Sequence, residues 1–210
     1  MSALAEVVGV LEQTRVLPVL TCDDPDQAEA ACRALVAGGI DCVEITFRTE
    51  AAVPAIERAS AVGGMLVGAG TILDPGQARA AAAAGASFAV APGTHAEVVD
   101  ACVELDLPFF PGVATPTEVD AARARGCRTL KVFPAVTVGG PAFIRAVSAP
   151  YPDVRFIPTG GVNAGNLADF LAVPAVLACG GSWMCEPRLL REGRFDEIER
   201  LAREAVAATK

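Results

Sequence analysis

One rhythm runs through the chain: a short β-branched run, a turn, then an alanine-rich helical stretch. The runs that read as strands are Val16–Leu20, Cys42–Phe47, Met65–Gly70, Ser87–Ala91, Pro108–Gly112, Thr129–Phe133, Arg155–Pro158 and Ala175–Gly180. Helical stretches fall between them at Pro25–Ala37, Ala51–Ala61, Pro75–Ala84, His95–Leu105, Pro116–Arg125, Pro141–Val147 and Ala164–Leu171, and a last one covers Asp196–Ala208. Asp24-Pro25, Asp74-Pro75 and Thr115-Pro116 are helix starts, and Gly38-Gly39, Gly85 and Gly126 are helix ends. Strands joined each time by a helix must pair in parallel. Eight such units predict a closed (β/α)8 barrel, with an open doubly wound sheet as the alternative. Val7–Gln13 precedes the first strand and predicts an extra N-terminal helix at the barrel bottom. No linker or charge block divides the chain, so residues 1–210 read as a single domain.

Composition narrows the class of function. Hydrophobic residues make up 52% of the chain but aromatics only 5%, so alanine, valine and leucine are expected to fill the core. A net charge of −8 argues against nucleic acid or an anionic membrane surface as partner. The seven cysteines contain no Cys-x-x-Cys pair and read as reduced, mostly buried thiols of a cytoplasmic protein. With His95 the one histidine, no metal site is expected. Glu6 and Glu12 stand where a signal peptide would be basic. The apolar stretch from Ala80 to Ala91 is broken by Gly85 and Ser87, so it reads as a helix end and a strand rather than a membrane span.

The chain has fifteen arginines and two lysines, one of them the last residue, Lys210. The other, Lys131, lies in the apolar run Thr129-Leu130-Lys131-Val132-Phe133-Pro134. Taking an ammonium out of water favours the neutral amine, which can add to a ketone and form a Schiff base. A lysine that snorkels, or pairs with a buried carboxylate, is the alternative. Side chains alternate across a strand, so Glu44, Thr46 and Arg48 share one face of the second strand, and Val43, Ile45 and Phe47 the other. If the apolar face packs on helices, Glu44 points inward, as a structural ion-pair partner or as a proton shuttle. By the same parity Lys131 and Phe133 point inward. A carboxylate can then move protons for the amine, and an arginine can clamp a substrate carboxylate.

Glycines cluster where barrels place their sites. Gly68-Ala69-Gly70-Thr71 ends the third strand, Pro158-Thr159-Gly160-Gly161-Val162-Asn163 the seventh, and Gly180-Gly181-Ser182 the eighth. Such loops after the last two strands form a phosphate site when backbone N–H groups and a helix N-terminus meet an anion. Tight strand–helix turns are the plainer reading. His95 reads as a solvent-facing helix cap, Trp183 as a packing residue, and Cys179 and Cys185 as core or loop thiols.

The segments Glu44–Glu50, Gly68–Thr71, Lys131–Ala135, Pro158–Gly161 and Gly180–Trp183 resemble, in order and spacing, the class I 2-keto-3-deoxy-6-phosphogluconate (KDPG) aldolases. Many of these also cleave 4-hydroxy-2-oxoglutarate (KHG). The resemblance runs from Val16 to Ala208 and implies a (β/α)8 barrel, a homotrimer and no cofactor or metal. It implies Lys131 as the Schiff-base lysine and Glu44 as general acid and base. It implies Arg48 and Thr71 on the pyruvate carboxylate, with Thr159 and Pro92 lining the same site. Gly160, Gly161, Gly181 and Ser182 would hold the phosphate. The implied reaction cleaves KDPG to pyruvate and glyceraldehyde 3-phosphate, and KHG to pyruvate and glyoxylate. One departure stands out: Val136 occupies a place where gluconate-type members often carry an acidic residue, so substrate preference stays open. The alternatives are the phosphogalactonate isomer or another 2-keto-4-hydroxy acid as substrate. A phosphate-binding lyase or isomerase without a Schiff base, and a metabolite-binding domain without turnover, also stand as alternatives.

Overall fold

Polar residues followed by proline start helices where the sequence predicts them. In the computed structural model, which describes residues 2–210, Asp24 accepts from the Asp26 N–H at 2.9 Å, Asp74 from the Gln77 N–H at 2.9 Å and Thr115 from the Glu118 N–H at 3.3 Å. Each cap satisfies an orphan N–H of a first turn whose proline has none to satisfy. These caps open α2 (Pro25–Ala37), α4 (Pro75–Ala83) and α6 (Pro116–Ala124). The remaining helices are α1 (Ala3–Thr14), α3 (Ala52–Ser60), α5 (Ala96–Glu104), α7 (Gly140–Ser148), α8 (Leu167–Leu171), α9 (Pro187–Arg191) and α10 (Phe195–Ala207). Among the described residues no helix is long and apolar enough to cross a membrane.

The strands are β1 (Val16–Leu20), β2 (Cys42–Thr46), β3 (Leu66–Gly70), β4 (Phe88–Val90), β5 (Phe109–Phe110), β6 (Gly112–Val113), β7 (Thr129–Val132), β8 (Arg155–Pro158) and β9 (Cys179–Gly181). The fold is α/β with parallel strands. One sheet has the order β5-β4-β3-β2-β1-β9 and a second the order β6-β7-β8.

Several boundaries differ from the sequence expectation. The run Pro108–Gly112 is two short strands facing different neighbours. Pro111 lies between them; it has no N–H to donate, and its carbonyl accepts from the Lys131 N–H at 2.9 Å. The predicted strand Ala175–Gly180 is shorter and later; before it, Val176 meets Phe156 in an isolated bridge. The predicted helix Ala164–Leu171 starts at Leu167, because Asn163 and Asn166 side chains take the Gly165 and Asn163 N–H groups, each at 2.9 Å, into local turns. The N-terminal helix is longer than Val7–Gln13, capped by Ser2 on the Ala5 N–H. The short helix α9 was missed, although Pro187 after Glu186 is a helix-start signal.

Alanines line the inner helix faces, among them Ala28, Ala31, Ala55, Ala59, Ala78 and Ala81, which lets helices approach the strands closely. Aliphatic side chains fill most of the core, as expected, and Phe88, Phe110, Phe156 and Phe170 are among its largest fully buried side chains. Burial of each contributes about 1.5–3 kcal/mol. The Phe88 ring lies over Gly68, where a Cβ would stand 2.2 Å from it.

Candidate active site

The strand alternation read from the sequence brings Glu44 and Lys131 together. Glu44 pairs in register with Val19 and Gly68 in the six-stranded sheet, and Lys131 with Gly112 and Ile157 in the three-stranded one. Their side chains meet with Nζ 3.0 Å from Oε1 and 3.4 Å from Oε2. Glu44 is 1% exposed and Lys131 4% exposed. Of the ion pairs among the described residues, this is the one with both partners buried. Burying two charges is repaid only by close, hydrogen-bonded geometry. Gly70 makes that geometry possible, since a Cβ there would lie 2.2 Å from Glu44 Oε1. The Phe133 ring lies 5.6 Å from Nζ, close enough for a cation–π contact with the ammonium form.

Above the ends of the strands lies a cavity of about 400 Å³. Arg48, Thr159, Gly160, Gly161, Gly181 and Ser182 line it together, as expected of the site residues, joined by Val19, Thr21, Phe133, Val162 and Pro187. Arg48 is exposed at the mouth, in the turn after β2. Lys131 and Glu44 are not themselves part of the lining; Phe133, whose ring neighbours Lys131 Nζ, is. A second cavity, of about 270 Å³, lies at the opposite ends of the strands, against Val99, Val103, Phe109 and Thr129, and holds neither Lys131 nor Glu44.

Thr71 and Pro92 do not line the cavity either. Thr71 directly follows β3 with φ +60, a left-handed conformation in which a β-branched residue is strained. Pro92 packs on β6, with its carbonyl 2.1 Å from where a Gly112 Cβ would be, and Gly112 is the register partner of Lys131. Thr159 is buried and forms an isolated bridge to Gly180, where a Cβ would meet its Oγ1 at 2.2 Å.

The glycine turn after β8 has φ +97 at Gly160 and +82 at Gly161. The Asn163 and Asn166 amides donate to the Gly161 carbonyl at 3.2 and 3.0 Å and fix the turn. Among the described residues the Gly161 N–H has no backbone acceptor. The next helix, α8, starts only at Leu167, so the helix dipole expected at this turn is absent from it. Donors for an anion here are backbone N–H groups and the exposed Ser182 hydroxyl.

The remaining candidates take their plainer readings. His95 is exposed at the N-cap position of α5 but makes no side-chain cap. Trp183 packs across Gly181, within 1.9 Å of a Cβ position. All seven cysteines are free, six of them buried. Burial pushes the Cys22 and Cys102 thiols up to about 11 and the Cys32 and Cys179 thiols up to about 12, which leaves little thiolate at neutral pH. No group of three or more His, Cys, Asp or Glu among the described residues is placed to hold a metal ion.

Residues 7–201 match the family model described as KDPG and KHG aldolase. The chain belongs to that family. It is 44% identical over 203 residues to the 2-dehydro-3-deoxy-phosphogluconate aldolase of Pseudomonas aeruginosa, covering 96% of this chain and 92% of the relative. It is 40% identical to the KHG/KDPG aldolase of Escherichia coli, covering 96% and 95%. Among solved structures, the KDPG aldolase of Legionella pneumophila, with pyruvate captured as a covalent carbinolamine intermediate, matches at a TM-score of 0.90 and 35% identity over 94% of this chain and 97% of that one.

Proposed function

We propose that the protein is a class I aldolase that cleaves KDPG to pyruvate and glyceraldehyde 3-phosphate, and KHG to pyruvate and glyoxylate. The observation that carries this is the buried Lys131–Glu44 pair at 3.0 Å in a member of the KDPG and KHG aldolase family. The enzyme is an aldehyde-lyase. Lys131 Nζ adds to the C2 ketone, and Glu44 moves the protons that dehydrate the carbinolamine to an iminium. Glu44 takes the C4 hydroxyl proton as the C3–C4 bond breaks and its electrons pass into the iminium. The resulting enamine is protonated at C3, and water releases pyruvate. Arg48 and Thr71 hold the keto-acid carboxylate, with Thr159 and Pro92 beside it. Gly160, Gly161, Gly181 and Ser182 hold the phosphate.

The same proposal includes a single-domain, closed (β/α)8 barrel. The isolated bridges Phe156↔Val176 and Thr159↔Gly180 support closure between the last two strands, and Phe109–Val113 faces both sheets across Pro111. It includes a homotrimer in the cytoplasm. A cage designed by fusing symmetric oligomeric domains matches this fold at a TM-score of 0.84 and 31% identity, which is in keeping with self-association. Seven unpaired thiols suit a reducing compartment.

Purified protein given KDPG, its phosphogalactonate isomer and KHG in turn, under excess EDTA, is expected to release pyruvate from KDPG and KHG. No pyruvate from any of the three, or activity that returns only with a divalent ion, would overturn the class I reading. The phosphate turn has its own check. Gly161→Ala puts a methyl group at φ +82 and 2.8 Å from Val136. It is expected to raise KM for KDPG about tenfold and to affect KHG, which has no phosphate, far less. Equal damage to both substrates would mean that the turn serves the keto-acid end or the fold.

A further inference from the structure

The end of β1 carries a polar group that the lysine–carboxylate chemistry leaves unused. Thr21 follows Leu20, lines the cavity beside Arg48 and Ser182, and has its Oγ1 2.7 Å from Oγ1 of Thr46. Thr46 is 1% exposed. Each hydroxyl has one proton and two lone pairs, so the bond between them uses one proton and leaves one. Left on Thr46, that proton would be a buried donor with no acceptor, which folded proteins avoid. Thr46 therefore donates to Thr21, and the Thr21 proton is free for an acceptor in the cavity.

The register says which acceptor. Within β1, Pro18 pairs with Gly181 of β9 and Val19 with Glu44 of β2. Continuing the β1–β2 register places Thr21 opposite Thr46, two residues beyond Glu44, and Thr21 lines the cavity together with the phosphate donors Gly160, Gly161, Gly181 and Ser182. On the reading of the site given above, the substrate stretches from Lys131 to those donors, and the carbon between C4 and the phosphorylated carbon passes this wall. That carbon bears a hydroxyl in KDPG. We infer that Thr21 is a specificity-determining residue whose Oγ1 donates to this hydroxyl oxygen, so that the site selects a 2-hydroxy aldehyde as the cleaved or added partner. Val19, which also lines the cavity on this strand, offers no such donor.

The aldol-addition direction isolates the contact. Pyruvate is supplied with glyceraldehyde 3-phosphate or with 3-oxopropyl phosphate, which lacks only the 2-hydroxyl. The wild-type ratio of kcat/KM for the two aldehydes is expected to be about tenfold in favour of the hydroxylated one, the worth of one hydrogen bond. Thr21→Val, which keeps the shape, should bring the ratio close to one, and Thr21→Ser should restore most of it. A ratio in Thr21→Val equal to that of the wild type, or a wild-type ratio near one, overturns the inference while leaving the aldolase reading in place. Equal loss on both aldehydes assigns Thr21 a structural role and overturns it too. If the wild type adds pyruvate to neither aldehyde and borohydride traps no pyruvate on it, the aldolase reading itself fails and this inference falls with it.

Discussion

Lys131→Met is expected to abolish cleavage of KDPG and, with it, the borohydride-dependent attachment of pyruvate to the protein. The substitution removes the one amine in the site, and nothing nearby replaces it as a nucleophile, since the buried thiols are held protonated. The ion pair, already one of the readings open from the sequence, adds a complication. Lys131 is the counter-ion of a carboxylate that is 1% exposed, and breaking a buried pair typically costs about 3–5 kcal/mol. That is a large share of the roughly 5–15 kcal/mol that stabilises a typical domain. The loss of activity must therefore be read on folded protein, and the double variant Lys131→Met, Glu44→Gln should recover much of the lost Tm without recovering activity. Lys131→Arg keeps the charge and is expected to be inactive as well, because a guanidinium stays protonated and forms no imine. Near-normal turnover in any folded variant lacking Lys131 would end the Schiff-base reading.

Glu44→Gln is expected to lower kcat by about 10²–10⁴-fold, the usual contribution of a general acid–base group, while trapping of pyruvate falls much less. The reason lies in where protons must go. On the proposed mechanism cleavage needs a base for the C4 hydroxyl, and the Glu44 carboxylate lies 3.0 Å from Nζ. Adduct formation needs mainly the Lys131 amine itself, which Glu44→Gln leaves in place. Single-turnover trapping alongside steady-state kinetics separates the two. A variant within threefold of the wild type in turnover would leave Glu44 as a structural ion-pair partner and take it out of the mechanism.

The parts of this site legible in the sequence are those that follow from a period of two. Glu44 and Thr46 on one face of β2, and Lys131 on β7, needed only an apolar alternate face to fix their direction, whereas Arg48 and Phe133 reach the cavity from the turns just past those strands. The glycine turns after β8 and β9 were legible because strand ends are where such folds keep their loops. What escaped depends on contacts between distant segments. Nothing in Gly70 itself announces that it clears space for Glu44, since the two residues meet only through the register of β2 with β3. Thr21 was passed over because strand one ends in a residue with no unusual chemistry, and its meaning comes from Thr46 across the pair. The helix dipole expected at Gly160–Gly161 failed locally, where two asparagines outcompete a first helical turn. Thr71 and Pro92 came from family resemblance alone, and both stand at strand exits outside the cavity lining.

Lys131 and Glu44 belong to different sheets and lie 87 residues apart in the chain. Neither sheet contains the reactive unit. On the proposed mechanism, a chain whose two sheets have not met lacks Glu44 beside Lys131, so covalent capture of pyruvate is expected to report on the docked state of the two sheets.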